Sequence, residues 1–302
     1  MRYFYLSILT SFCLTIIACK GSSKIKSETK TEVIPKKIAN NNPKLVKLWE
    51  TDSLLTMCES VIYNKSKSII YVSNINTGPW EKDKDGFIST IDTLGNILNL
   101  KWIDNLSGPK GLGLYKNKLY VSDIDEIIEI DINAEKVTKH HKVKDIPFLN
   151  DITTSPEGTV YVSNMKANTI YSLKNEKITL VTKQDFNSLN GILHTQEGIY
   201  YVTSDGHKFG IYTEENQTFK TLTKEIGAGD GILKLPNGDF ITSDWNGSIF
   251  YIKSLNWSKQ LLLDTKDAKI NAADITYIPE QNMLLVPTFF NNTVTAYRLI
   301  FE

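Results

Sequence analysis

The sequence predicts an all-β fold, a six-bladed β-propeller with four-stranded antiparallel blades, and three observations predict it. The first is a phrase that returns every forty residues: Leu149-Asn150-Asp151-Ile152, Leu189-Asn190-Gly191-Ile192 and Gly229-Asp230-Gly231-Ile232. The second is a strand phrase that follows each copy: Tyr71-Val72-Ser73-Asn74, Tyr120-Val121-Ser122-Asp123, Tyr161-Val162-Ser163-Asn164, and looser versions at Tyr201, Phe240 and Leu285. The third is turn chemistry between the two phrases, in Pro156-Glu157-Gly158, Gln196-Glu197-Gly198 and Pro236-Asn237-Gly238, the residues that hairpins use. Tyr, Val, Ile and Thr dominate the periodic segments, and no long helical period interrupts them. A unit of about forty residues with four short strands is a propeller blade.

Residues 1–18 read as a lipoprotein signal peptide. Arg2 precedes a mostly apolar run that is short for a membrane span and ends Ile16-Ile17-Ala18-Cys19, which resembles a bacterial lipobox. Cys19 is then the lipidated residue, and the mature protein is expected to be lipid-anchored in the bacterial envelope, to the periplasmic or surface side of the outer membrane, without crossing it. Residues 19–44 form a flexible linker with seven Lys and two Glu, a composition that cannot bury a core. Cys13 leaves with the signal and Cys58 stands alone, so no disulfide framework supports the mature chain.

Residues 45–302 hold the propeller. Each blade begins at one anchor position, occupied in turn by Glu59, Lys110, Asn150, Asn190, Asp230 and Ala273. Leu45 to Trp49 is expected to pair with Thr293 to Phe301 and close the ring, which removes exposed sheet edges. The innermost strands start at the anchors, so the anchors surround one mouth of the central channel. The loops after the second strands emerge on the same face. They are expected to bring Asn74, Asp123, Asn164, Asp205 with His207, Asp244 with Trp245, and Phe289 with Phe290 into the pocket wall. Trp80 and Gly86, in the long insertion of the first blade, are candidates for a lid.

Oxygen donors at four anchors, Glu59, Asn150, Asn190 and Asp230, suit a hard divalent cation, Ca²⁺ first and Mg²⁺ next; they suit Zn²⁺ less well, since no Cys or His sits at an anchor. Lys and Arg total 34 and so do Asp and Glu, and this balance, with no basic stripe in the body, argues against nucleic acid as a partner. Cys58, His140, His141 and His194 are given ordinary structural or surface roles. Asp274, one place past the sixth anchor, is expected to hydrogen-bond within the channel.

These residues resemble the gluconolactonase/regucalcin family of propellers, also described as senescence-marker-protein and luciferin-regenerating-enzyme-like. Glu59 stands for the Glu of the family's first-blade motif, and Asn150-Asp151, Asn190-Gly191 and Asp230-Gly231 stand for its later motifs. The resemblance implies Glu59, Asn190 and Asp230 as metal ligands and Asn150 as a group that meets the substrate or supports the ligands; Asn164, His207 and Trp245, from the expected pocket loops, are taken as further substrate contacts. It implies metal-assisted opening of a lactone, with Asp230 the candidate base, by a monomer acting on a small molecule. Two places differ: Val61 replaces a Pro, and Phe148 replaces an Arg that grips sugar hydroxyls. Two other readings stand beside lactone hydrolysis. One is a non-catalytic propeller that binds a ligand or protein on the anchor face, and the other a related phosphotriesterase or arylesterase.

Overall fold

The computed structural model describes residues 42–143, 147–184 and 186–302. The signal, Cys19 and nearly all of the linker lie outside the described residues. No helix among the described residues is long and apolar enough to cross a membrane.

Six four-stranded antiparallel sheets follow one another along the chain, as the forty-residue period predicts. The innermost strands of blades 1 to 6 are Cys58–Asn64, Pro109–Tyr115, Leu149–Thr154, Leu189–Thr195, Gly229–Lys234 and Thr276–Ile278. Their second strands are Ile69–Asn74, Lys118–Asp123, Val160–Asn164, Gly198–Thr203, Phe240–Asp244 and Met283–Pro287. Ring closure occurs where expected: Pro43–Glu50 is the outermost strand of blade 6, with Leu45 opposite Leu299 and Trp49 opposite Ala296. The strand starts two residues before Leu45. Gly86 opens the third strand of blade 1, Gly86–Ile91, rather than lying in the lid.

The apolar faces of the strands make one cluster at each blade interface. Val72, Val121, Val162 and Val202, the valines of the recurrent strand phrase, are all fully buried there. A side chain of this kind stabilises the fold by about 1.5–3 kcal/mol.

One backbone device places the anchors. In each of the first five blades the inner strand carries a bulge in which two residues oppose one on the second strand. Leu149 pairs with Asn164 and Ile152 with Val162, so Asn150 and Asp151 together face Ser163. A bulge breaks strict alternation and re-aims its side chains. It also frees a backbone N–H, and the Ser of the strand phrase accepts it: Ser60 N donates to Ser73 Oγ at 2.9 Å, Asp151 N to Ser163 Oγ at 3.0 Å and Gly231 N to Ser243 Oγ at 2.7 Å. Ser243 Oγ in turn donates to Ala273 O of the next blade at 2.7 Å. The recurrent Ser is thus a stitch between adjacent inner strands. The glycine after an anchor admits the neighbouring strand: a Cβ on Gly191 would sit 1.9 Å from Asp230 O.

Candidate functional site

The bulges bring five anchor side chains to one mouth of the channel. Glu59, Lys110, Asn150, Asn190 and Asp230 line a cavity of about 570 Å³, and each is at most 5% exposed. Three of them form a chain across neighbouring blades. Asn150 Nδ2 donates to Asn190 Oδ1 at 2.6 Å, and Asn190 Nδ2 donates to Asp230 Oδ1 at 2.8 Å. Two buried oxygens in this group have no hydrogen-bond partner, Glu59 Oε2 and Asn150 Oδ1. Buried polar atoms are nearly always paired, so two orphans in one cavity mark a place for a ligand.

The charges are out of balance. Burial, then repulsion from Asp230 and Asp274, raises the Glu59 carboxyl well above the ordinary range. Burial and Asp274 raise Asp230 in the same way. The one amine in the ring, Lys110, is pushed down to about 8 by burial, against the attraction of Glu59 and Asp123. Lys110 Nζ donates to Pro79 O at 2.6 Å and Gly108 O at 2.9 Å, and lies 4.0 Å from the centre of the Trp80 ring.

Among the described residues no three His, Cys, Asp or Glu side chains gather as ligands, so a cation here would need the amide oxygens as well. The donor set fits one: two carboxylates and two amides, with an unpaired oxygen on Glu59 and another on Asn150. All are hard oxygen donors.

One residue past their anchors stand Asp151, on the inner strand of blade 3, and Asp274, just ahead of that of blade 6. Asp151 accepts the backbone N–H of Ile152 and of Ile192, both at 2.6 Å, and so ties blade 3 to blade 4. Asp274 Oδ2 accepts Ser60 Oγ at 2.5 Å, in keeping with the hydrogen-bonding role expected of it. Burial raises both carboxyls, Asp274 to about 7.

Of the other substrate contacts expected, Trp245 lines the cavity and Asn164 and His207 do not. Asn164 is fully buried; its amide donates to Pro147 O at 3.0 Å and accepts Ala167 N at 2.7 Å. Asp123 and Asp244 do the same work, accepting Gly108 N at 2.6 Å and Ala228 N at 2.9 Å. Asn74 is turned into its own blade, donating to Val72 O at 2.9 Å. These polar residues end second strands and fasten loops, so they are not pocket wall. Exposed His207 bonds Gly227 O through Nδ1 at 2.7 Å, and exposed Asp205 bonds Ser188.

The wall is supplied one residue later, by Ile75, Met165, Ser204 and Trp245, each directly after its strand, and by Phe289 and Phe290. The period-two alternation of strand side chains is the signal that points to them. Trp80 does border the mouth, packed on Phe148 with ring centroids 4.6 Å apart. Lys110 was visible as an anchor, but only the fold shows its amine beside Trp80. His141 is buried, against the exposed position expected, 3.7 Å from Glu129. Cys58 is fully buried and its thiol is pushed up to about 12, first by burial, an inert environment.

No protein-family model and no curated protein matches the chain. Solved structures do. A catalytically inactive virginiamycin B lyase from Staphylococcus aureus with quinupristin aligns at a TM-score of 0.61 and 15% identity, covering 86% of this chain and 100% of that one. A streptogramin B lyase aligns at 0.61 and 13% identity, over 86% and 98%. A nidogen/laminin complex aligns at 0.62 and 12% identity, over 73% of this chain and 84% of that chain. Likeness at these identities shows the propeller fold and leaves chemistry to the site.

Proposed function

We propose that the channel mouth is the active site of a metal-dependent hydrolase that opens a lactone or related ester. The observation that carries this reading is the unpaired, deeply buried Glu59 Oε2 in the same cavity as Asp230. Burial and like-charge repulsion make this pair expensive to keep ionised, and a bound cation relieves both. Glu59, Asn190 and Asp230 would hold the cation, in keeping with the resemblance to gluconolactonases, and Asn150 would meet the substrate through its free Oδ1. A divalent cation at such a site supplies Lewis-acid polarisation of the substrate carbonyl.

The chain's own groups supply the rest. Asp230 is the candidate base, in a double role with that of cation ligand. Asn190 donates to Asp230 Oδ1 and so fixes the orientation of that carboxylate. Lys110 places a positive charge at the floor, where it can stabilise oxygen charge that develops as the ester is attacked. Trp80 and Phe289 narrow the mouth and limit bulk water.

Asp230→Asn tests this directly. It should lower metal-dependent turnover of a panel of lactones by at least about a hundredfold, and unchanged turnover removes Asp230 as base. The competing reading is a propeller that binds without reacting. It draws on the Asn150–Asn190–Asp230 chain, in which Asn190 is satisfied at both ends without any ion. Lactone and aryl-ester panels with and without EDTA separate the two, because a binding module stays silent in both.

The envelope location is part of the proposal. Cys19→Ser should move the protein from the membrane to the soluble fraction, and continued membrane association would remove Cys19 as the anchor.

A further inference from the structure

Polar and apolar groups are segregated within the mouth cavity. The anchor ring makes a polar floor, and the walls above it are mostly aromatic, aliphatic and thioether side chains, with the hydroxyls of Thr77 and Ser204 among them. The aromatic groups come from two separate places. Trp80, from the insertion of blade 1, leans over blades 2 and 3: it covers Lys110 at 4.0 Å and packs on Phe148 at 4.6 Å. Trp245 follows the second strand of blade 5, and Phe289 and Phe290 follow that of blade 6. These three form an edge-to-face cluster, with Trp245 5.6 Å from Phe289, 5.9 Å from Phe290, and the two Phe rings 4.8 Å apart. In a six-membered ring, blades 2 and 3 stand opposite blades 5 and 6. The two aromatic groups therefore face each other across the mouth.

Phe290 is 58% exposed at the rim, so a large aromatic ring is left in water where the cavity opens. An exposed apolar group that continues an apolar wall marks a ligand-binding edge. Such walls are poor partners for a polyhydroxylated ring. Sugar hydroxyls that lose water need hydrogen-bond partners, and aromatic faces and Met57 and Met165 offer almost none. Phe148, where a sugar-gripping Arg was expected, instead packs against Trp80.

We infer that the cavity takes an ester or lactone carrying a flat apolar group, an aryl ring, seated between Trp80 and the Trp245–Phe289–Phe290 cluster with its carbonyl end on the polar floor. The ester end rests on the function proposed above; the aryl end rests on the walls alone. Aromatic pairs favour offset-stacked or edge-to-face contact, and both walls offer faces and edges for it.

Non-reacting lactams separate binding from turnover. Dihydrocarbostyril is an aryl lactam, and δ-valerolactam is its counterpart without the ring. Titrated into the full-length protein and followed by tryptophan fluorescence, the aryl lactam should bind about tenfold tighter or more. Phe290→Ala, at an exposed position, and Trp245→Ala should each erase most of that preference. Equal affinities, no binding by either lactam, or a preference that survives both substitutions in folded protein would overturn the aryl slot. The two proposals fail separately. Aryl preference without hydrolysis of any ester keeps the slot and overturns the hydrolase. Hydrolysis without aryl preference keeps the hydrolase and overturns the slot.

Discussion

The two ends of the central channel use the same side chains to opposite effect. At the mouth, Glu59 and Asn150 hold buried oxygens with no partner. One residue further on, Asp151 is equally buried and Asp274 partly buried; Asp151 is bound by two backbone N–H groups and Asp274 by the Ser60 hydroxyl. The carboxylates share a low-dielectric channel and are all raised by burial first. Satisfaction, and not residue type, separates them. A buried carboxylate bound by the protein is part of the frame, and one left unbound is an opening for something else.

The sharpest way to break this comparison is to remove the satisfied member. Asp151→Ala leaves the N–H groups of Ile152 and Ile192 buried without acceptors and unties blade 3 from blade 4. The expected loss is about 4 kcal/mol by urea unfolding, at about 1–3 kcal/mol for each stranded group. Cation affinity at the mouth should change far less. A small stability effect with abolished cation binding would reverse the roles assigned to the two layers.

The next effect is of pH. Burial raises Asp274 to about 7, above an unfolded value of about 3.9, and Glu59, Asp151 and Asp230 shift the same way. The folded state then holds protons that the unfolded state has released. The stability this contributes is full below about pH 4 and is lost as pH rises to about 7. Lys110 runs opposite: its folded value near 8 lies below the usual amine, so the penalty of its buried charge is relieved only above pH 8. Metal-free protein should therefore lose on the order of 3 kcal/mol between pH 5 and 7.5. Added Ca²⁺ should restore more of that stability at pH 7.5 than at pH 5. A flat profile without metal would show that the carboxylates are not strained.

Much of this frame was legible in the sequence because repetition encodes it. The blade count, the ring closure and the anchors all follow from a period and from alternation. Part of the pocket wall was misplaced by one residue: Asn164 looks like a pocket polar, but the strand turns it toward loop backbone and presents Met165 instead, while Trp245, Phe289 and Phe290 line the cavity as expected. The recurrent Ser could be seen but not explained, since its partner is the N–H that a bulge frees, and a bulge leaves no mark in composition. Lys110 could not be assigned, because its carbonyl partners come from the loop at Gly108 and the insertion at Pro79. Contacts between insertions of different blades have no period to read.

The smallest expected effect on stability is the most discriminating, because its sign differs from that of Asp151→Ala. Glu59→Gln keeps the size of the side chain and removes a charge that is buried and repelled by Asp230 and Asp274. If the unpaired Oε2 is a ligand position, the substitution relieves strain in the metal-free protein, which should become more stable by about 1–2 kcal/mol at pH 7.5. The same change removes a charged oxygen from the cation site, so Ca²⁺ affinity measured by calorimetry should fall by about a hundredfold, or about 2.7 kcal/mol. Opposite signs in the two measurements are what a functional carboxylate requires: the fold is better without it and the ligand is worse. A structural carboxylate would lower stability on substitution, as Asp151 is expected to do, and that result would move Glu59 into the frame with it.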